Sequence, residues 1–322
     1  MTTAEKKEAP VIEVRNLKKY FSTPHGMLHA VDDVTFTIEK GKTLGVVGES
    51  GCGKSTLGRT IIHLHESTGG QILLDGNDIT KLNSKELKAA REKMQIIFQD
   101  PYSSLDPRKS IDSTIREPLQ ISKRYTKAEI EEHTQSLMNL VGIDERLQRS
   151  YPHELDGGRR QRVGIARALA LEPEFVVCDE PVSALDVSIQ AQVLNLLKEL
   201  QQARQLTYMF VTHDMSVVRH ISDDICVMYL GQVVEKAPTK EIFDHPMHPY
   251  TQALLSAIPT TDIHHKMQRQ VLKGEITSPI NPKPGCRFAA RCPFATEACS
   301  QPQVQEEVKP GHFVTCTRIH EL

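Results

Sequence analysis

Glycines, a lysine and three hydroxyls stand together at Gly48-Glu49-Ser50-Gly51-Cys52-Gly53-Lys54-Ser55-Thr56. Glycines at 48, 51 and 53 let backbone N–H groups turn inward around phosphate oxygens, which bulky side chains would prevent. Lys54 brings a point charge to the β and γ phosphates, and Ser55 offers a hydroxyl to Mg²⁺. The helix expected next favours an anion at its N-terminus. The predicted chemistry is binding of a nucleoside triphosphate with Mg²⁺ by Gly48, Ser50, Gly51, Cys52, Gly53, Lys54, Ser55 and Thr56. Downstream, Asp179 closes the apolar run Phe175-Val176-Val177-Cys178, so its carboxylate emerges at a sheet's C-terminal edge, where Mg²⁺ needs a ligand. Glu180 follows it and can polarise an attacking water. Phosphoryl transfer to water is the reaction these residues predict.

Elements must hold these side chains. Thr43 to Val47 reads as a buried strand, and Lys54 onward as a helix with Leu57, Ile61 and Ile62 on one side. The glycine-rich segment thus lies between a strand and a helix, the context a phosphate loop requires. Phe175 to Cys178 and Tyr208 to Thr212 are further short strands, and Ile189, Val193, Leu196, Leu197 and Leu200 have helical spacing between them. Alternating strands and helices imply a parallel sheet covered by helices. Val11 to Val14, Val31 to Ile38 and Ile72 to Leu74, with the turn Asp75-Gly76-Asn77, predict an antiparallel edge sheet. Ile130, Leu137, Leu140 and Val141 mark a helical insertion between Gln99 and Leu155. From about Lys236 onward proline, histidine and cysteine replace the alternation, marking a separate extension.

The 322 residues suffice for one large domain or two ordinary ones. A net charge of -2 does not mark the surface as a polyanion binder, and no nucleic-acid partner is expected. The polar start, Met1 to Glu8, is unlike a secretory signal. No apolar run approaches the ~20 residues of a membrane helix. The expectation is a soluble, cytoplasmic chain that reaches a membrane only through partner subunits. Cys52, Cys178 and Cys226 read as small buried hydrophobes. Cys286, Cys292, Cys299 and Cys316 crowd into the tail.

The motifs in this order resemble the ATP-binding subunit of an ABC transporter. Leu155-Asp156-Gly157-Gly158-Arg159 stands in the place of that family's LSGGQ signature, and Gln99, Ser183-Ala184-Leu185-Asp186 and His213 stand where the family has its Q-loop, D-loop and switch histidine. The resemblance covers residues from about 11 to 235 and implies an α/β P-loop NTPase core with an antiparallel β subdomain and a helical subdomain. It implies that Gln99 contacts Mg²⁺ and the water, that His213 contacts the γ phosphate, that Glu180 is the general base, and that Tyr20 stacks on adenine. Tyr20 read as a strand-end core aromatic is the alternative, and Phe21 competes for the role. Domains are expected at 11–98 (nucleotide-binding core with the β subdomain), 99–158 (helical subdomain), 159–235 (remainder of the core) and 236–322 (cysteine-bearing extension).

The signature departs from the family pattern twice. Each signature in the family completes the opposing subunit's ATP site, so Asp156, in place of a serine, would face the partner's polyphosphate. A carboxylate ~4 Å from a phosphate charge costs on the order of 4 kcal/mol at an effective dielectric of ~20. Arg159 can offset it. Aspartate also caps a helix N-terminus as serine does, so a helix from Gly158 through Leu171 can begin here. Functional asymmetry of a paired ATPase is the expectation, with this chain's own site intact and the partner's weakened.

A second resemblance lies in the tail. His248-Pro249-Tyr250-Thr251-Gln252-Ala253-Leu254-Leu255, then Asn281-Pro282-Lys283-Pro284-Gly285-Cys286 and Arg291-Cys292-Pro293, are similar to the C-terminal extension of oligopeptide and dipeptide importer ATPases. The four tail cysteines, separated by five, six and sixteen residues, satisfy the ligand count of a tetrahedral metal or a four-iron cluster. The family resemblance favours [4Fe-4S], with Zn²⁺ as the alternative and His312 as a substitute ligand. The implied function is ATP hydrolysis powering peptide import, with nickel or another small solute as the nearer alternative and a non-transport ABC ATPase as the more distant one. The implied partners are a paralogous ATPase in a heterodimer, two transmembrane permease subunits and, through them, an external substrate-binding protein. The implied location is the cytoplasmic face of the membrane, peripherally held.

Overall fold

Five-residue runs with no polar face become strands buried on both sides, and longer runs with helical spacing become helices laid over them. The computed structural model describes residues 9–258, 272, 274 and 277–321; the polar start at 1–8 lies outside them. In chain order the elements begin with β1 (Ile12–Thr23), β2 (Gly26–Ile38), β3 (Thr43–Val47), α1 (Lys54–Ile61), β4 (Gly69–Leu74) and β5 (Asn77–Asp78). There follow α2 (Ser84–Lys93), β6 (Met94–Ile97), α3 (Pro101–Ser104), α4 (Ile111–Ser122), α5 (Lys127–Leu140), α6 (Gly157–Leu169), β7 (Phe175–Asp179) and α7 (Val187–Arg204). The chain closes with β8 (Thr207–Val211), α8 (Met215–Ile221), β9 (Asp224–Tyr229), β10 (Gln232–Pro238), α9 (Thr239–Asp244), α10 (Pro249–Ser256), β11 (Glu306–Lys309) and β12 (His312–Val314).

The described residues form two compact units, one drawn from 9–11, 39–41 and 81–209, the other from 12–38, 42–80, 210–258 and 277–321. The first unit contains the helical run. Its strands β6 and β7 pair in parallel, Met94 opposite Phe175 and Ile97 opposite Cys178, with β8 on the other side of β7. Every residue of β7 is buried, as a strand covered on both faces must be. Helices α3, α4, α5 and α7 all pack on α6. Thr126 and Glu129 close a reciprocal capping box at the start of α5, which fixes where that helix begins.

The second unit holds two sheets. The antiparallel one runs β2-β1-β4-β5, with Ile12, Val14, Leu17, Val31, Val34 and Ile72 buried beneath it. The hairpin β1–β2 is longer than the apolar runs predicted: bulges between Val14 and Tyr20 keep polar residues in register with β2. The other sheet runs β11-β12-β10-β9-β3, parallel between β3 and β9 and antiparallel elsewhere. The tail therefore ends in strands of its own: Val314 pairs with Glu235, which extends the sheet beyond β10.

Candidate functional site

The phosphate loop and His213 belong to the second unit; Gln99, the signature segment, Asp179 and Glu180 belong to the first. Within the loop, backbone space explains the glycines. A Cβ on Gly48 (φ 152°) would stand 2.2 Å from the Met228 carbonyl oxygen, and one on Gly53 (φ 106°) 2.0 Å from that of Ala30. Neither position admits a side chain. Lys54 is 4% exposed, and its ammonium donates to the carbonyls of Gly48 at 2.8 Å and Glu49 at 2.9 Å. A buried ammonium closed into its own loop by two carbonyls is a cation that an incoming phosphate can take over. Cys52 is buried beside it, and burial pushes its thiol pKa up, so it packs as a hydrophobe. Ser55 and Thr56 open α1, half-exposed, while Ser50 and Gly51 are exposed at the loop's tip. Thr212 N–H donates to Val46 O at 3.1 Å, so His213 follows at the same strand end as the loop.

Tyr20 lies within β1, its ring stacked on His29 with centroids 3.9 Å apart and planes 21° from parallel. Its hydroxyl donates to Asp32, which also meets His29 Nδ1 at 3.1 Å and the guanidinium of Arg287. Burial alone would raise the Asp32 pKa, but hydrogen bonds from Tyr20 and His29 and the charge of Arg287 hold it below the usual carboxylate range. Phe21 instead meets His65 edge-on at 5.6 Å. Asp32 and Arg287 gave no signal in the sequence; only their burial together reveals them.

In the first unit Gln99 Nε2 donates to Glu180 Oε2 at 3.1 Å, bringing two of the expected catalytic residues together. Glu180 has a left-handed backbone (φ 46°), a strained turn for a non-glycine residue that follows directly from the end of β7. Its carbonyl accepts from the Ser183 N–H at 3.3 Å, and Asp186 caps α7 through Ile189 N–H at 3.1 Å. Asp179 is fully buried at the end of β7. The Asp179 carboxylate and the Gln99 carboxamide oxygen, both in this unit, are hard donors of the kind Mg²⁺ takes, as is a hydroxyl such as that of Ser55 in the other unit.

Asp156 caps α6, accepting from Arg159 N–H at 2.8 Å, while the Arg159 guanidinium lies 3.4 Å from its other oxygen. The helix starts at Gly157 and ends at Leu169, two residues before the expected Leu171. Leu155 is buried, and a Cβ on Gly158 would stand 2.6 Å from Ile189 Cγ2, which explains the small residue there. Both charged side chains are more than half exposed, 59% for Asp156 and 56% for Arg159. In the single chain water screens the carboxylate, and at the dielectric of bulk water a phosphate charge ~4 Å away costs it about 1 kcal/mol.

The tail thiols are neighbours, since each of Cys286, Cys292 and Cys316 feels the charge of Cys299. Backbone N–H groups two residues on reach three of the sulfurs, from Phe288 to Cys286, Phe294 to Cys292 and Arg318 to Cys316. Burial nevertheless pushes the Cys286 thiol up to about 11 and raises those of Cys292 and Cys316. Among the described residues no three His, Cys, Asp or Glu side chains stand where one metal ion would reach them. The iron–sulfur expectation thus finds no metal-holding arrangement among the described residues. His312 is committed elsewhere: it is fully buried with Nε2 2.8 Å from Glu235 Oε1.

Residues 31–183 match the ABC transporter family, and residues 234–299 match the oligopeptide/dipeptide transporter C-terminal region. The chain is 51% identical to the oligopeptide transport ATP-binding protein AppF of Bacillus subtilis, over 98% of this chain and 99% of that one. It is 46% identical to the dipeptide transport ATP-binding protein DppF of Escherichia coli, over 98% and 96%. Its fold is similar to the dimeric structure of a post-hydrolysis state of the ATP-binding cassette MJ0796 bound to ADP and Pi. That match has a TM-score of 0.65 at 28% identity and covers 71% of this chain and 98% of the other.

Proposed function

The chain belongs to the ATP-binding subunits of oligopeptide and dipeptide ABC transporters, and from that membership we propose how its residues divide the work. The protein is an ABC-type ATPase of a peptide importer, partnered by membrane permease subunits. No helix among the described residues is long and apolar enough to cross a membrane, consistent with a peripheral subunit. These relatives do not favour the nickel or non-transport readings.

The loop Gly48 to Thr56 wraps the triphosphate with backbone N–H groups, Lys54 neutralises it, and Tyr20 stacks on the base. Ser55, Gln99 and Asp179 would hold Mg²⁺, which would supply neutralisation of charge on the phosphates. Glu180 accepts a proton from the attacking water, Gln99 orients that water, and His213 contacts the γ phosphate. The observation that carries this reading is the hydrogen bond from Gln99 to Glu180, made at the left-handed turn that follows the buried strand. Glu180→Gln tests it: ATP binding is retained and turnover collapses, whereas wild-type turnover removes Glu180 as the base.

The finer assembly follows by the same reading. We infer a heterodimer with a paralogous ATPase on the cytoplasmic face of the membrane, two permease subunits and an external substrate-binding protein. In that pair Leu155, Asp156, Gly157, Gly158 and Arg159 complete the partner's ATP site. The dimer of the structurally similar cassette with ADP and Pi supports this arrangement. The domains divide at 11–98, 99–158, 159–235 and 236–322. The four tail cysteines carry a [4Fe-4S] cluster or Zn²⁺ in the mature protein, a reading supported by their proximity and by N–H donors that favour thiolate sulfur. Iron, sulfide and zinc analysis of anaerobically purified protein decides it, and absence of all three removes the group.

A further inference from the structure

Glu49 places a carboxylate inside a loop that must hold a polyanion, and the structure shows what balances it. Arg291, 242 residues along the chain, forks onto it with Nη1 2.6 Å from Oε2 and Nη2 3.0 Å from Oε1. The Arg291 side chain is 8% exposed and that of Glu49 26%, so water screens this pair poorly. The Tyr250 hydroxyl accepts from the Glu49 N–H at 2.9 Å, so the same loop residue is held at its backbone as well. Arg291 is itself fixed: its N–H donates to Phe288 O at 2.9 Å, and its Nη1 lies 3.4 Å from the Tyr229 hydroxyl. Phe288 is 1% exposed, with ring contacts to Tyr229 and Tyr250 at 5.3 Å. Further back the tail is strapped to β2, where Asn281 N–H donates to Met27 O at 2.9 Å and His29 N–H to Pro279 O at 3.1 Å.

We propose that Arg291 is a positioning residue of the ATP site: it neutralises and pins Glu49, so that the C-terminal tail sets the affinity of the phosphate loop for the triphosphate. Without Arg291 the carboxylate repels the incoming phosphates and the loop loses one of the contacts that hold it from outside. The proposal rests on the reading of residues 48–56 as the phosphate loop.

The test measures binding of Mg-ATP and of inorganic tripolyphosphate to the full chain by titration calorimetry. Arg291→Gln is expected to weaken both by about tenfold, because the effect acts on phosphate and not on the base. Adding Glu49→Gln to it is expected to restore both to within about threefold of the wild type, since the unpaired charge is gone. Unchanged affinity in Arg291→Gln overturns the proposal. So does a double variant as weak as the single one, which reduces Arg291 to a prop for the fold. Should Arg291→Gln fail to fold, Arg291→Met takes its place, keeping the apolar stem and losing both the charge and the fork; affinity equal to the wild type there also overturns the idea. Lys54→Ala separates the premise: if it binds both ligands normally the loop assignment itself falls, and if it binds neither while Arg291→Gln binds normally, only the role of Arg291 does.

Discussion

The phosphate loop and the C-terminal tail lie in one compact unit and manage charge in opposite ways. In the loop, backbone does the work: Gly48 and Gly53 occupy positions no side chain fits, and Lys54 folds back on carbonyls five and six residues away. In the tail, side chains do it across long separations, with Arg287 on Asp32 and Arg291 on Glu49. Chemistry built from neighbouring backbone is complete in one short motif. Chemistry built from distant forks exists only once the chain has folded, and a loss in either region should look different.

The largest expected effect concerns hydrolysis and sets the scale against which both regions are measured. Glu180→Gln is expected to lower single-turnover hydrolysis by about 10³-fold, within the usual range for a lost general base, while nucleotide binding stays near that of the wild type. The tail side is probed by Phe288→Ala, which removes a buried ring from among Tyr229, Tyr250 and His248. It is expected to cost about 3–5 kcal/mol by denaturant unfolding. A cost under about 1 kcal/mol there would mean the tail is only loosely appended and would break the comparison.

A pH series sharpens it. His248 is 1% exposed and its Nδ1 accepts from Tyr250 N–H at 3.1 Å; burial holds its pKa down to about 4 despite the nearby Glu235. The unfolded chain, with an ordinary histidine pKa of ~6.5, then binds the proton more readily than the folded one. Stability is full above about pH 6.5 and is lost progressively toward pH 4, by roughly 3 kcal/mol from this group. His248→Asn keeps an acceptor for the start of α10 and removes the titration, so its unfolding curves should flatten over that window. An unchanged slope would assign the acid sensitivity to other groups.

The smallest effect lies in the signature. Asp156→Ser with Arg159→Gln is expected to raise turnover of the assembled transporter by roughly fivefold, since an exposed charge near phosphate is worth about 1 kcal/mol. Unchanged turnover would leave Asp156 as the cap of α6 and nothing more.

The strand Thr43–Val47, the helix opening at Lys54 and the buried strand ending in Asp179 were legible because each rests on a local pattern of apolar spacing or glycine placement. The full length of β1 and β2 was not, because half of it is polar and held by cross-strand register. Tyr20 was legible as an aromatic, but its clamp of His29, Asp32 and Arg287 was not. Cysteine count drew attention to the tail, yet the tail residues that pair with distant carboxylates are arginines, Arg287 beside Cys286 on Asp32 and Arg291 beside Cys292 on Glu49, whose spacing carries no signal of its own.

By itself the sequence determined the reaction class: phosphate binding needs glycines and a lysine within nine consecutive residues, and a carboxylate at a strand end follows from an apolar run alone. Tertiary structure alone decided which charges answer one another. The pairing of Glu49 with Arg291 depends on closing 242 residues of chain, and the burial that makes their attraction count exists only in the folded state.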